Sequence, residues 1–422
     1  MIKNFAVYIV LLFSVVTMAQ ESTASPYSYY GLGQLSFKGA FENRIMGGVN
    51  VFKDSLRINF LNPASYAHLK RTTFTIGGTQ NITTFNQADG SKERANRSSL
   101  NYVGVGIPLR KSAFVLGVMP YTVVGYKIEN QSIDEDNDFE RIRRFTGSGG
   151  VNRAFLGYGY AITPSLSFGV EAAYNFGNIS TNSAEAISNV QYGTSELNES
   201  RVDGFTFNTG LAYNKKLNEK YTIFGNVAYT PQSSVTFYNT TTISIVQYLS
   251  NGSFVVVNPD ESEVTKVNQK IKNPSKFSFG LGIGDETKFG IGAQLTLTDF
   301  NEFGNRYSEI ESGTFENGTK IGFGGYYIPK YNSFTNYWNR VTYRAGFNYE
   351  NTGLVVREES IIDYGINFGL GLPVPGSIST FTVGFEFGSR GTTSANLIKE
   401  NYFNLLISLN LNDKWFVKSK YN

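Results

Sequence analysis

From residue 72 onward, bulky apolar residues alternate with glycine, small polar residues or a charge in about fourteen short segments. In the clearest of them Leu166, Phe168, Val170, Ala172, Tyr174 and Phe176 share one parity, while Ser167, Gly169, Glu171, Ala173, Asn175 and Gly177 share the other. A period of two places successive side chains on opposite faces of a strand, so one face is apolar and the other small or polar. The same pattern returns late in the chain, where Tyr364, Ile366, Phe368 and Leu370 oppose Asp363, Gly365, Asn367 and Gly369, and where Phe385 and Phe387 oppose Glu386.

The gaps between segments alternate short and long. Arg110-Lys111, Thr163-Pro164 and Asp285-Glu286 are tight connectors, whereas residues 130–147, 180–201, 239–271 and 299–318 read as long polar loops. Bacterial outer-membrane barrels have short periplasmic turns and long external loops, and an even strand count returns both ends to the periplasm. Residues 331–338 fit least well: parity puts them on the periplasmic side, where they read as an aromatic-rich turn. Hydrocarbon forces closure, because an unpaired backbone group there costs several kcal/mol. The pattern therefore predicts an all-β fold, a transmembrane antiparallel barrel of about fourteen strands over residues 72–411, with a periplasmic tail at 412–422. A secreted sandwich or solenoid is the soluble alternative; a crossover helix or a clean repeat would favour it, and neither is evident in the chain.

Composition agrees with a barrel. The 34 Phe and 27 Tyr would supply aromatic girdles and the 44 Gly would suit a crowded lumen. Residues 1–19 carry Lys3, an apolar run and Thr17-Met18-Ala19, the marks of a signal peptide, and the run is too short to span a bilayer as a helix. These features point to the outer membrane of a Gram-negative bacterium, with lipid and lipopolysaccharide as surroundings. A net charge of +3 gives no reason to expect nucleic acid, and the absence of cysteine removes disulfide and thiolate chemistry.

Residues 20–71 are too apolar for a disordered tail: Tyr27, Tyr29 and Tyr30 lead to Met46-Gly47-Gly48 and then Asn62-Pro63-Ala64-Ser65. Fourteen strands enclose room for an added segment, so this stretch reads as a plug inside the lumen, the alternative being an arm outside it. The plug-like start, Asn62-Pro63-Ala64, and Asn273-Pro274 followed by Phe277-Ser278-Phe279-Gly280-Leu281-Gly282 resemble the FadL family of outer-membrane transporters for long-chain fatty acids and other hydrophobic compounds. Ser65 stands where that family often has glycine. The resemblance implies a fourteen-stranded barrel with an N-terminal hatch and a sideways exit through the wall.

Pro120 lies well inside the third strand pattern, whose lipid face is expected to run through Phe114, Leu116, Val118, Thr122, Val124 and Tyr126. Proline gives a ladder no N–H, so a bulge or inward kink is expected at Met119-Pro120, eased by Gly117 and Gly125, with a local gap in the wall. This resembles the kinked third strand of the family; a bulge sealed by side chains is the alternative. The candidate gate and ligand residues are thus Asn62, Pro63, Ala64, Gly117, Met119, Pro120 and Gly125. Parity places Glu171, Arg344, Asp363 and Glu386 in the lumen, where they should meet the plug, Arg44 and Arg57 being available as countercharge.

Other signals are weak. The run Asp134 to Asp138 resembles a calcium loop but has Phe139 at the glycine position and Phe145 at the last ligand position. The glycine-rich 147–150 and 280–284 lack a phosphate loop's lysine, and the lone His68 excludes a histidine metal cluster. The reading is of a non-enzymatic channel, without metal or cofactor, for passive uptake of hydrophobic, fatty-acid-like small molecules through a plug-gated lumen and a lateral wall opening. The alternative is a FadL-like accessory or plug subunit of a type IX protein secretion translocon.

Overall fold

The computed structural model describes residues 22–133, 139–259, 262–306 and 313–413. The leader 1–19, the acidic run Asp134 to Asp138 and residues 414–422 of the tail lie outside the described residues. Fourteen long strands form one sheet: β1 (Thr72–Asn86), β2 (Lys92–Pro108), β3 (Ser112–Ile133), β4 (Glu140–Ala161), β5 (Leu166–Ile187), β6 (Gly193–Lys216), β7 (Thr222–Thr230 continued by Ser233–Tyr248), β8 (Glu263–Asn273 continued by Ser275–Asp285), β9 (Phe289–Asp299), β10 (Gly318–Tyr327), β11 (Thr342–Val356), β12 (Glu359–Pro373), β13 (Thr380–Arg390) and β14 (Lys399–Asp413). Each pairs antiparallel with the next, and β14 returns to β1 from Lys399↔Asn86 to Asp413↔Thr72, closing the barrel. Pro231 and Pro274 mark the interruptions of β7 and β8, where a ladder donor is missing.

The two faces follow the alternation. Phe168, Val170, Phe205, Phe207, Ile366 and Phe368 are exposed on the outside, while Glu171, Asn175, Asp363, Asn367 and Glu386 are buried inside. Among the described residues no helix is long and apolar enough to cross a membrane.

The expected loops 130–147, 180–201 and 239–271 are instead mostly strand: β4 pairs with β5 out to Arg141↔Ile187, and β6 with β7 out to Gly193↔Val246. A belt of about 25 Å needs only about ten tilted residues, so the outer halves of these long strands stand clear of hydrocarbon. There the outer face has no need of apolar residues, and the polar composition that reads as loop is compatible with a ladder. The expected turn at 331–338 is a connection ending in a 3-10 helix, Tyr337–Arg340, capped by the Asn336 side chain accepting from Trp338 N–H.

One ladder is incomplete. β2 and β3 pair over six positions, Val103↔Val118 to Pro108↔Ala113, and stop one residue before Met119. On its other side β3 stays paired with β4 to Ile133↔Glu140, with Tyr121 bulged between Pro120 and Thr122. Beyond the bulge Tyr121, Thr122, Val123, Val124 and Tyr126 are all buried, so Thr122, Val124 and Tyr126 do not continue the expected lipid face: the strand has turned inward.

Candidate functional site

The N-terminal residues 22–71 contact inward side chains around the circumference of the sheet. Asn62 caps a short 3-10 helix, Pro63–His68, by accepting from Ala64 N–H, and its amide donates to the carbonyls of Leu211 (3.1 Å) and Val227 (3.2 Å). Pro63 and Asn62 approach so closely that a Cβ at Gly169 or Gly210 would fall on them. The Asn62-Pro63-Ala64 triplet thus pins the segment to β5, β6 and β7. Ser65 adds a bond to Asn62 O (2.6 Å). Next to it Tyr66 donates to Glu171 (2.6 Å), and burial plus that carboxylate push the phenol pKa well up.

Charged contacts occupy the opposite wall. Lys38 Nζ and Arg390 both reach Asp363 Oδ2, at 2.8 and 2.7 Å, while Tyr402 donates to Oδ1 at 2.6 Å. Ser25 donates to Glu400, and Arg44 pairs with Glu386, which also accepts from Asn404 (2.7 Å). Buried acids here have several donors each, as the cost of desolvating a charge demands. The apolar filling is Phe41, Ile45, Phe60, Tyr66 and Tyr102, all buried in one cluster. Of the four lumen charges, Asp363 meets Lys38 and Glu386 meets Arg44, but Glu171 meets a tyrosine and Arg344 no acid within 4 Å among the described residues. Arg57 pairs with Asp54 of its own segment (2.8 Å), not with a strand acid.

The edge that β2 leaves on β3 is taken by the N-terminal segment: Gln34 pairs with Val123, Leu35 with Thr122, and Ser36 N–H donates to Tyr121 O (3.0 Å). Gly117 and Gly125 do not provide the bend, since neither has positive φ; Gly117 makes room for the Phe155 ring and Gly125 for the backbone of Thr23. Within β3 and β4 the glycines in the left-handed region are Gly149 (φ 102°) and Gly150 (φ 153°), facing Val124 and Val123 from β4. Adjacent glycines inside a strand pattern were the available signal.

The bulged Tyr121 is the central residue that strand parity did not single out. Its hydroxyl donates to Asn273 (2.8 Å), the Arg153 guanidinium lies 4.0 Å from its ring centroid, and Lys276 is 5.7 Å away. The Asn273-Pro274 pair therefore meets the β3 kink across the lumen. Three cavities meet here, of ≈ 210, ≈ 110 and ≈ 70 Å³, and Leu35 and Lys38 line all three. The ≈ 110 Å³ cavity has an aromatic wall of Tyr30, Tyr121, Phe300, Phe303 and Phe315. The ≈ 70 Å³ cavity touches Ser99 and Asn101 of β2 and Val123 of β3, the edges that part.

Comparison with solved structures places the fold among FadL-like barrels. The P. putida toluene transporter TodX is similar at 16% identity over 90% of this chain and 100% of its own, with a TM-score of 0.61. The monoaromatic hydrocarbon channel CymD is similar at 12% identity over 93% and 99% of the two chains, TM-score 0.55. A Pseudomonas aeruginosa FadL homologue is similar at 14% over 90% and 98%, TM-score 0.54. No curated protein matches the chain. A sequence model of the family described as BamG matches residues 1–422, the whole length, and the chain belongs to that family.

Proposed function

We propose that this barrel lies in the outer membrane of a Gram-negative bacterium and passes hydrophobic small molecules passively, without cofactor. The observation that carries the reading is the meeting of three cavities at Leu35 and Lys38 beside an incomplete β2–β3 ladder. Residues 20–71 act as the plug. A ligand enters the aromatic cavity, where apolar burial favours it by roughly 25 cal/mol per Å², and moves past Leu35 when the Gln34–Leu35 pairing with β3 opens. It then leaves sideways between β2 and β3 into lipid. Met119 and Pro120 shape the exit by denying β2 a partner, and Asn62, Pro63 and Ala64 hold the plug in place. The matched transporters' descriptions name hydrocarbons and do not mention protein secretion, so the translocon reading gains nothing from them.

Reconstitution tests this. Liposomes containing the protein should accumulate radiolabelled toluene or dodecanoate faster than empty liposomes, and a Pro120 variant with a completed β2–β3 ladder should fall to background. Equal rates with and without protein would end the proposal.

A further inference from the structure

Among the described residues the N-terminal segment covers the edge of β3 and not the facing edge of β2. From Lys92 to Leu100 β2 pairs with β1 alone, and its ladder with β3 starts only at Val103. In an antiparallel ladder alternate residues turn their N–H and C=O toward opposite neighbours, so half of the backbone groups over residues 92–100 point away from β1. Only Asn96 O has a described partner besides that ladder, the Arg97 side chain at 3.3 Å. Above the exposed Leu100 the outward positions of β2 are polar, Ser98, Asn96, Arg94 and Lys92 in turn, so this length of edge stands clear of hydrocarbon. An exposed edge templates the addition of a strand unless it is short, bulged, interrupted by proline or covered. The stretch 92–100 contains no proline, and the one register shift between β1 and β2 lies on its membrane side, at Gly77/Gly78.

The charges around the edge select the occupant. Lys92 and Arg94, and Lys127 across the gap on β3, are exposed, and among the described residues none of the three is in an ion pair. The nearby acids are turned elsewhere. Glu129 is held by Arg144 at 2.7 Å, Asp89 accepts from Ser91 N–H at 2.8 Å in the β1–β2 turn, and Glu93 lies on the opposite face of β2 from Lys92 and Arg94. Lysine and arginine on an edge repel neutral and basic strands. They admit an acidic one. We infer that the β2 edge from Lys92 to Leu100 is a strand-addition site for an extended acidic segment of a partner protein, which pairs with the β2 backbone and sets its carboxylates against Lys92, Arg94 and Lys127. The edge lies outside the apolar belt, so the inference asks nothing of the uptake reading.

The probe is a fluorescein-labelled peptide of about ten residues alternating valine and glutamate, matched to the length of the edge. It is titrated by anisotropy into the full chain in phosphatidylcholine nanodiscs, beside a proline–glutamate peptide of equal charge that cannot form a ladder and a valine–lysine peptide. The valine–glutamate peptide should bind at least tenfold more tightly than either and should slow amide exchange at residues 92–100. Lys92→Glu combined with Arg94→Glu, both at exposed positions, should weaken it about tenfold or more and should gain binding of the valine–lysine peptide. Equal binding of the proline–glutamate peptide, unchanged exchange at 92–100, or full binding to the charge-reversed variant would overturn the inference. So would protection of residues 92–100 by nanodiscs carrying lipid A with no effect of the peptide, which would make the cations a lipid phosphate site.

Discussion

Leu35 pairs with Thr122, two residues beyond Pro120, so a piece of the N-terminal segment occupies the ladder edge that β2 abandons. An open edge is tolerable within a membrane barrel only where other backbone or water satisfies it. The bend that creates the edge is shared with β4 through Gly149 and Gly150.

Gly150→Ala should therefore be more disruptive than its sequence position suggests. At φ 153° a Cβ is strained and would fall on the Thr122 carbonyl. A loss of about 1–3 kcal/mol is expected, read as a lower unfolding temperature in heat-modifiable gel migration. Substituting the neighbouring Ser148 by Ala should change it little.

Asn62→Ala removes one helix cap and two donors to strand carbonyls. The cost should be about 1–3 kcal/mol, concentrated in the docking of residues 55–70 and visible there as faster amide exchange, with the strands unchanged.

Asp363→Ala leaves Lys38 and Arg390 without their shared acid. Breaking a buried charge cluster from one side costs about 3–5 kcal/mol. Limited proteolysis should cut the N-terminal segment far sooner than in the parent, while Asp363→Ala combined with Lys38→Met should recover part of the protection.

His68 gives a pH dependence. Burial first, and then Lys53, hold its pKa down at about 4. A freed segment would titrate near 6.5, so below that pH the undocked state binds a proton that the docked state refuses. Docking stability is thus complete above about pH 6.5 and lost as pH falls toward 4, by roughly 1–2 kcal/mol at about pH 5. Amide exchange of residues 55–70 should quicken over that window, and His68→Asn should flatten the dependence.

Fourteen strands, their faces outside the far half of β3 and an irregularity beside Pro120 were readable because hydrocarbon imposes a strict period of two and proline denies a specific hydrogen bond. The outer halves of β4 to β8 were not, since outside the membrane the apolar face disappears while the ladder continues. The pairing of Arg44 with Glu386 follows from the demand that buried charges be matched, but the choice of Lys38 for Asp363, and of Tyr66 for Glu171, depends on how the N-terminal segment folds. Tyr121 escaped because a bulge moves one residue off the parity that assigns faces.

The Leu35–Thr122 bridge offers the most direct test. The chain has no cysteine, so Leu35→Cys with Thr122→Cys introduces a single possible disulfide between directly opposed residues. Uptake of radiolabelled toluene by proteoliposomes should drop to the empty-liposome rate when the pair is oxidised and return on reduction. Equal uptake in both states, with the disulfide verified by mass spectrometry, would contradict a gate at this bridge.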